Sequence, residues 1–141
     1  MTKENRQGLD VDVLFVGSGS ASLAGALHLK KLAQSAGLDI SIAIIEKARE
    51  IGAHCLSGAI IDPRSLNELI PDYLEKEIPF EAEVAEEHMY YLSSKAKFPF
   101  PYLPKSMSHH GCYVASLGKF VRWLGKICEL EGIDIFCGFS G

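Results

Sequence analysis

Val11-Asp12-Val13-Leu14-Phe15-Val16-Gly17-Ser18-Gly19-Ser20-Ala21-Ser22 runs from an apolar segment straight into a turn of glycine and serine. Val11, Val13, Leu14, Phe15 and Val16 have the β-branched and aromatic character of a strand buried on both faces, as parallel strands are. Gly17 ends the strand and permits a sharp exit from it. Gly19 removes a Cβ where a pyrophosphate would approach the backbone, and a helix starting next would aim its unpaired N–H groups at the anion. A phosphate site is therefore expected over the turn from Gly17 to Ser22.

The residues that follow extend this reading. Ser22, Gly25, Ala26, Leu29, Leu32, Ala33 and Ala36 fall on one helical face, small at the start and larger later, so the helix can begin close against the strand. Gly37 is placed to end it in a left-handed cap, and Ile40, Ile42, Ala43, Ile44 and Ile45 form a second strand. Glu46 stands at that strand's carboxyl end, where an acid accepts hydrogen bonds from a ribose diol and repels a 2′-phosphate. The third glycine of the dinucleotide fingerprint is replaced by Ser22, the smallest side chain with a hydroxyl, and the alternative is a βαβ unit whose glycines serve packing alone.

The whole chain sets the limits. Its 141 residues amount to one domain's worth of core, 48% hydrophobic and 23% charged, as in ordinary soluble globular proteins. A net charge of −4 gives no electrostatic reason to expect nucleic acid as a partner. No apolar run is long enough to span a bilayer. Residues 1–10 mix Lys3, Glu4 and Arg6 without an apolar core, so neither a signal nor a transit peptide is expected. The expected location is the bacterial cytoplasm or the cytoplasmic face of the inner membrane. Cys55, Cys112, Cys128 and Cys137 include no C-x-x-C pair, which suits unlinked thiols in a reducing compartment and leaves no metal site expected.

Further along, Gly52 and Gly58 sit among small residues and suggest backbone passing close to something bulky, whether a ligand or a packed loop. His54 reads better as a hydrogen-bonded structural histidine than as a catalytic base. Asp62-Pro63 starts a helix that buries Leu66, Leu69 and Ile70 and stops at Pro71. Six glutamates between Glu75 and Glu87 read as a solvated face. Met89 to Leu92 and Ala96 to Phe98, joined by Ser93-Ser94-Lys95, form a hairpin, and Pro99, Pro101 and Pro104 hold the next segment extended. Residues 108–113 read as a loop whose adjacent His109 and His110 lack a third metal ligand. Leu117, Phe120, Val121, Leu124, Ile127 and Cys128 make a helical stripe, with Ser116 able to cap its start and Gly132 its end, before a third strand containing Ile133, Ile135 and Phe136. The fold class is α/β with a mainly parallel sheet and an antiparallel hairpin inserted over residues 72–110.

Several stretches together resemble the N-terminal part of the electron-transfer-flavoprotein:ubiquinone oxidoreductases. They are residues 11–19, Glu46-Lys47, Glu50-Ile51-Gly52-Ala53-His54-Cys55-Leu56-Ser57-Gly58-Ala59, Asp62-Pro63-Arg64, and Leu66-Asn67-Glu68-Leu69. His110-Gly111, Tyr113, Leu117-Gly118 and Trp123-Leu124-Gly125 also fit. The resemblance implies a Rossmann-like FAD-binding fold, incomplete at its C-terminus, with residues 1–141 as the N-terminal part of the FAD-binding domain. Gly17, Gly19 and Glu46 would hold the ADP half, and Ser57 and Gly58 would pass near the flavin. The cofactor-binding set is then Val16, Gly17, Ser18, Gly19, Ser20, Ala21, Ser22, Glu46, Lys47, Ser57 and Gly58.

The same resemblance implies electron transfer flavoprotein and ubiquinone as partners, with peripheral membrane association through parts not present here. It also implies a 4Fe-4S cluster whose ligands are absent from this chain. Where family members commonly show alanine, proline, glycine and arginine, this chain has Ser18, Ser20, Ser22 and Ser116. The expectation is an N-terminal fragment or shortened product that alone does not carry electrons to quinone. The alternatives are another flavin-dependent reductase or monooxygenase of the same superfamily, and a non-enzymatic truncated remnant.

Overall fold

The computed structural model describes residues 8–141, so most of the N-terminal stretch read for a signal or transit peptide, residues 1–7, lies outside the described residues. In chain order the elements are β1 (Val13–Val16), α1 (Ser20–Ser35), β2 (Ile42–Glu46), β3 (Gly58–Ile61), α2 (Arg64–Leu69), β4 (Phe80–Glu83), β5 (Tyr90–Leu92), β6 (Lys97–Pro99), β7 (Tyr113–Ser116), α3 (Leu117–Leu130) and β8 (Asp134–Cys137). They divide into two compact units. One combines the chain up to His54 with Val121–Gly141, and the other is Cys55–Phe120.

The first unit is a parallel sheet in the order β1-β2-β8, with Val13 opposite Ile42, Val16 opposite Ile45 and Ile44 opposite Ile135. Its core matches the expected stripe on α3 but not on α1, where Leu23 and Leu27, outside the expected face, are fully buried with Ala26 and Ala33, while Leu32 and Ala36 of that face are exposed. Ile42 and Ile44 from β2, Leu23, Ala26 and Leu27 from α1, and Val121, Leu124 and Cys128 from α3 are all buried. Each such leucine or isoleucine contributes roughly 1.5–3 kcal/mol of burial free energy. The small residues of α1 have the expected use, since a Cβ at Gly25 would stand 3.4 Å from the Phe15 ring. The Cys128 thiol lies 3.4 Å from the Leu23 carbonyl, which ties α3 to α1.

The other face of this sheet is open, so β1 is not buried on both faces as its apolar run suggested. Leu14 and Val16 alternate with the inward Val13 and Phe15 and are exposed. Leu14, with Ala43, Ile45, Phe136 and Phe139, lines an apolar groove of about 610 Å³ that no ionisable side chain lines.

The second unit contains an antiparallel sheet in the order β3-β7-β4, with Ala59 opposite Ala115 and Phe80 also opposite Ala115. The Phe80 and Tyr113 rings stack at 4.2 Å, and Tyr73 meets Phe80 edge-on at 6.1 Å. The expected hairpin is present as β5-β6, and the Ser93 N–H donates to the Ala96 carbonyl across its turn at 2.9 Å. The Asp62 carboxylate accepts the Arg64 N–H at 3.0 Å, but α2 starts at Arg64 with Pro63 as its N-cap, one residue later than expected, and Ile70 (φ −138°, ψ 78°) has left the helical conformation before Pro71.

Three strands differ from the sequence expectation. β3 lies where glycines and small residues suggest loop, β4 lies inside the acidic run, and β7 follows directly from the histidine loop. Each has four residues, too few for a period-two pattern to stand out, and each is held by partners distant in sequence.

Candidate nucleotide-binding site

The site is assembled where β1 gives way to α1. Gly17 has φ +90°, a conformation L side chains rarely adopt, and its N–H donates to the Ile45 carbonyl at 2.7 Å, carrying the β1-β2 ladder one residue further. The chain then turns under Ser18, only 2% exposed, and emerges at Gly19. Helix α1 starts at Ser20, two residues earlier than the apolar stripe suggested, so Ser20, Ala21 and Ser22 form its first turn. Gly19 is the N-cap and no side chain caps it, which leaves the first-turn N–H groups free to meet an anion. A Cβ built on Gly19 would meet nothing within 4 Å. The space beside that backbone is open, as close approach of a pyrophosphate requires.

Glu46 closes the arrangement from the end of β2. Its Oε2 accepts the Ser18 N–H at 2.8 Å and the Ser18 hydroxyl at 2.9 Å, and its Oε1 accepts the Ala48 N–H at 2.8 Å. The Ser18 N–H, then the Ala48 N–H, hold the Glu46 carboxyl below its ordinary pKa; partial burial opposes them, and the Ser18 hydroxyl and the charge of His54 assist. The carboxylate is thus ionised and fixed. Beside it lies an open recess of about 260 Å³, lined by Val16, Gly17, Ile45, Glu46, Lys47 and Phe139 among others. The larger apolar groove on the sheet carries no comparable chemistry.

The first unit therefore brings together Val16, Gly17, Ser18, Gly19, Ser20, Ala21, Ser22, Glu46 and Lys47. Ser57 and Gly58 belong to the second unit, where the Ser57 carbonyl accepts the Leu117 N–H at 3.2 Å and Gly58 pairs with Ser116. His54 is exposed rather than buried in a hydrogen-bonded niche, and its charge acts on Glu46. One pair escaped the sequence reading. The His109 Nδ1 lies 2.6 Å from Glu87 Oε1, and the His109 N–H donates to Glu87 Oε2 at 2.6 Å. No spacing rule links residues so far apart, and Glu87 was one acid among many in its run.

A parallel strand, a glycine turn, an uncapped helix start and an ionised acid at the end of the next strand define a partial Rossmann-like α/β unit of the nucleotide-binding class. No known protein-family profile matches the chain. Its sequence matches the N-terminal portion of the electron transfer flavoprotein-ubiquinone oxidoreductases. It is 42% identical over 129 residues to the mitochondrial protein of that name from Dictyostelium discoideum, covering 92% of this chain and 21% of that protein. It is 42% identical over 138 residues to the Pseudomonas aeruginosa protein, covering 96% of this chain and 25% of that one. The human mitochondrial protein is 41% identical over 132 residues, with 93% and 21% covered. The chain thus spans a fifth to a quarter of the length of these relatives.

Among solved structures, the flavin-dependent monooxygenase PieE in complex with FAD and substrate superposes with a TM-score of 0.66 at 14% identity, over 96% of this chain and 25% of that one. Aklavinone-11 hydroxylase with FAD and aklavinone gives 0.62 at 16% identity, over 94% and 26%. At such identities the likeness concerns the fold.

Proposed function

We propose that this chain binds the ADP half of FAD and is the N-terminal cofactor-binding portion of an oxidoreductase that passes electrons from electron transfer flavoprotein to ubiquinone. The observation that carries the nucleotide reading is the geometry around Glu46, an ionised acid fastened to the buried turn residue Ser18 beside an uncapped helix start. The residues fit the cofactor. Gly19 leaves room for the pyrophosphate, the first-turn N–H groups of α1 supply donors, and Glu46 supplies a charged acceptor for ribose.

FAD, when bound, supplies the electron-carrying chemistry. The described residues bind and orient its nucleotide end: the α1 N-terminus offsets phosphate charge, Glu46 selects a ribose over a 2′-phosphate, and Lys47 borders the recess next to it. The names of relatives 42% identical support the oxidoreductase over the monooxygenases, which share the fold at 14–16% identity. Electron transfer flavoprotein and ubiquinone as partners belong to this same reading, as do the passage of Ser57 and Gly58 near the flavin and a cytoplasmic or inner-membrane-surface location.

The test is a titration of FAD and of ADP into the wild type and Glu46→Ala. The variant is expected to bind both about tenfold more weakly, the worth of one charge-assisted hydrogen bond. Equal affinities in the two proteins would remove the assignment.

A further inference from the structure

We propose that Ser18 is a positioning residue that leaves Glu46 a single free acceptor, on Oε1, so that the site recognises one hydroxyl of an adenosine ribose rather than both. The inference rests on the nucleotide reading above and adds to it the group that sets ribose selectivity.

A carboxylate offers about four lone-pair sites, two on each oxygen. Both sites of Oε2 are engaged, by the Ser18 N–H at 2.8 Å and the Ser18 hydroxyl at 2.9 Å. One site of Oε1 is engaged by the Ala48 N–H at 2.8 Å. One remains. A second ribose hydroxyl could bind only by displacing the Ser18 hydroxyl, and Ser18 is 2% exposed, so the displaced group would have no water to turn to. The backbone donors survive every substitution except proline, whereas the hydroxyl can be removed alone. Serine at this place is thus a donor that the phosphate turn does not need, spent on the acid of the next strand.

Ser18→Ala keeps the backbone N–H and frees one site on Oε2. Both ribose hydroxyls should then find an acceptor, and the carboxylate should lose part of what keeps it ionised. The other titratable groups acting with Glu46 are His54, whose charge favours the carboxylate, and Cys137, across the β2-β8 register. Neither is changed by the substitution.

Two readouts on the full 141-residue chain test this. The first is calorimetric binding of ADP, 2′-deoxy-ADP and 3′-deoxy-ADP to wild type, Ser18→Ala and Glu46→Ala. In the wild type one deoxy analogue should bind about tenfold more weakly than ADP and the other within about twofold. In Ser18→Ala both analogues should bind more weakly than ADP. The second is the pH titration of the ¹³C-labelled Glu46 carboxylate without ligand, which should move to higher pH in Ser18→Ala and, by less, in Ser18→Cys, whose thiol is a weaker donor of similar size.

An unmoved titration in both variants, or unchanged selectivity in Ser18→Ala with Glu46→Ala still weakening ADP, overturns the role of Ser18 and leaves the nucleotide site standing. Equal ADP binding by Glu46→Ala and wild type overturns the nucleotide site, and the ribose selectivity with it. The carboxylate titration reports on positioning in either case.

Discussion

Asp12 and Ser41 clasp the entrances of β1 and β2. The Asp12 Oδ2 accepts the Ser41 N–H at 2.8 Å and the Ser41 hydroxyl at 2.7 Å, while the Asp12 N–H donates back to the Ser41 Oγ at 2.9 Å. The clasp lies one residue before the first aligned pair, Val13 and Ile42, and so fixes the register that later sets Gly17 beside Ile45. Asp12→Ala should lower the melting temperature by a few degrees and speed hydrogen exchange of the β1 amides, with α3 amides little affected. Ser41→Ala should do the same to a smaller extent, because its backbone N–H still reaches Asp12. Unchanged β1 exchange in Asp12→Ala would show that the register is held by the apolar pairs alone.

The two glycines of the turn should separate folding from binding. Gly17 has φ +90°, so Gly17→Ala forces a Cβ into a disfavoured conformation and should cost about 1–2 kcal/mol in urea unfolding. Gly19 has φ −72° and ψ 168°, open to any residue, and a Cβ there meets nothing. Gly19→Val should therefore cost about 1 kcal/mol or less in stability, mostly through the weaker N-cap. It should nonetheless reduce FAD affinity by at least about tenfold, because the side chain fills the space a pyrophosphate would use. Wild-type FAD affinity in Gly19→Val would remove the phosphate from this turn.

The parts of this fold that the sequence made legible are those settled within a few neighbouring residues. The β1 run, the turn at Gly17, the close approach of Gly25 to Phe15 and the left-handed glycines Gly37 and Gly132, with φ +69° and +76°, are local decisions. The β3-β7-β4 sheet is not local. Ile60 pairs with Val114, and the intervening residues carry no trace of it, because a four-residue strand is specified by what lies across from it. The site divides along the same line. The place of Glu46 at the end of β2 was legible, yet Ser18 looked like a mere departure from alanine, although its hydroxyl donates to Glu46 Oε2. Hydrogen-bond partners 28 residues apart leave no spacing signature.

Cys128 should be chemically silent. Its thiol is fully buried against α1, and burial, helped by the charges of Glu129 and Glu131, pushes its pKa up from 9.0 to about 12. In native protein at pH 8, alkylation followed by mass spectrometry should label Cys55 and Cys112 well before Cys128, and urea should make Cys128 reactive. The linkage has a definite sign. The native state keeps its proton where the unfolded thiol loses it, so this contribution is whole below pH 9 and is lost progressively toward pH 12. Cys128→Ala should flatten that alkaline loss, at the expense of a lower overall stability from the small cavity it leaves.

Glu87 and His109 join two ends of the segment that carries the β5-β6 hairpin. The carboxylate takes the His109 N–H on one oxygen and faces the imidazole Nδ1 with the other, and the nearby Val84 N–H donates to the Cys112 carbonyl at 2.9 Å. The His109 N–H, and after it the His109 side chain, keep the Glu87 pKa below its ordinary value of 4.5. A lowered acid pKa means that the clasp is at full strength above pH 4.5 and weakens as pH falls through the lower folded-state value. Hydrogen exchange at the His109 amide, followed from pH 7 down to pH 3 and corrected for intrinsic rates, should show protection falling over that acid range. Glu87→Ala should remove the protection at every pH, and Glu87→Gln should retain part of it, since an amide oxygen still accepts the backbone N–H but brings no charge. If the His109 amide remains protected in Glu87→Ala, the base of the hairpin is held by the 84–112 backbone contact, and the carboxylate is a bystander.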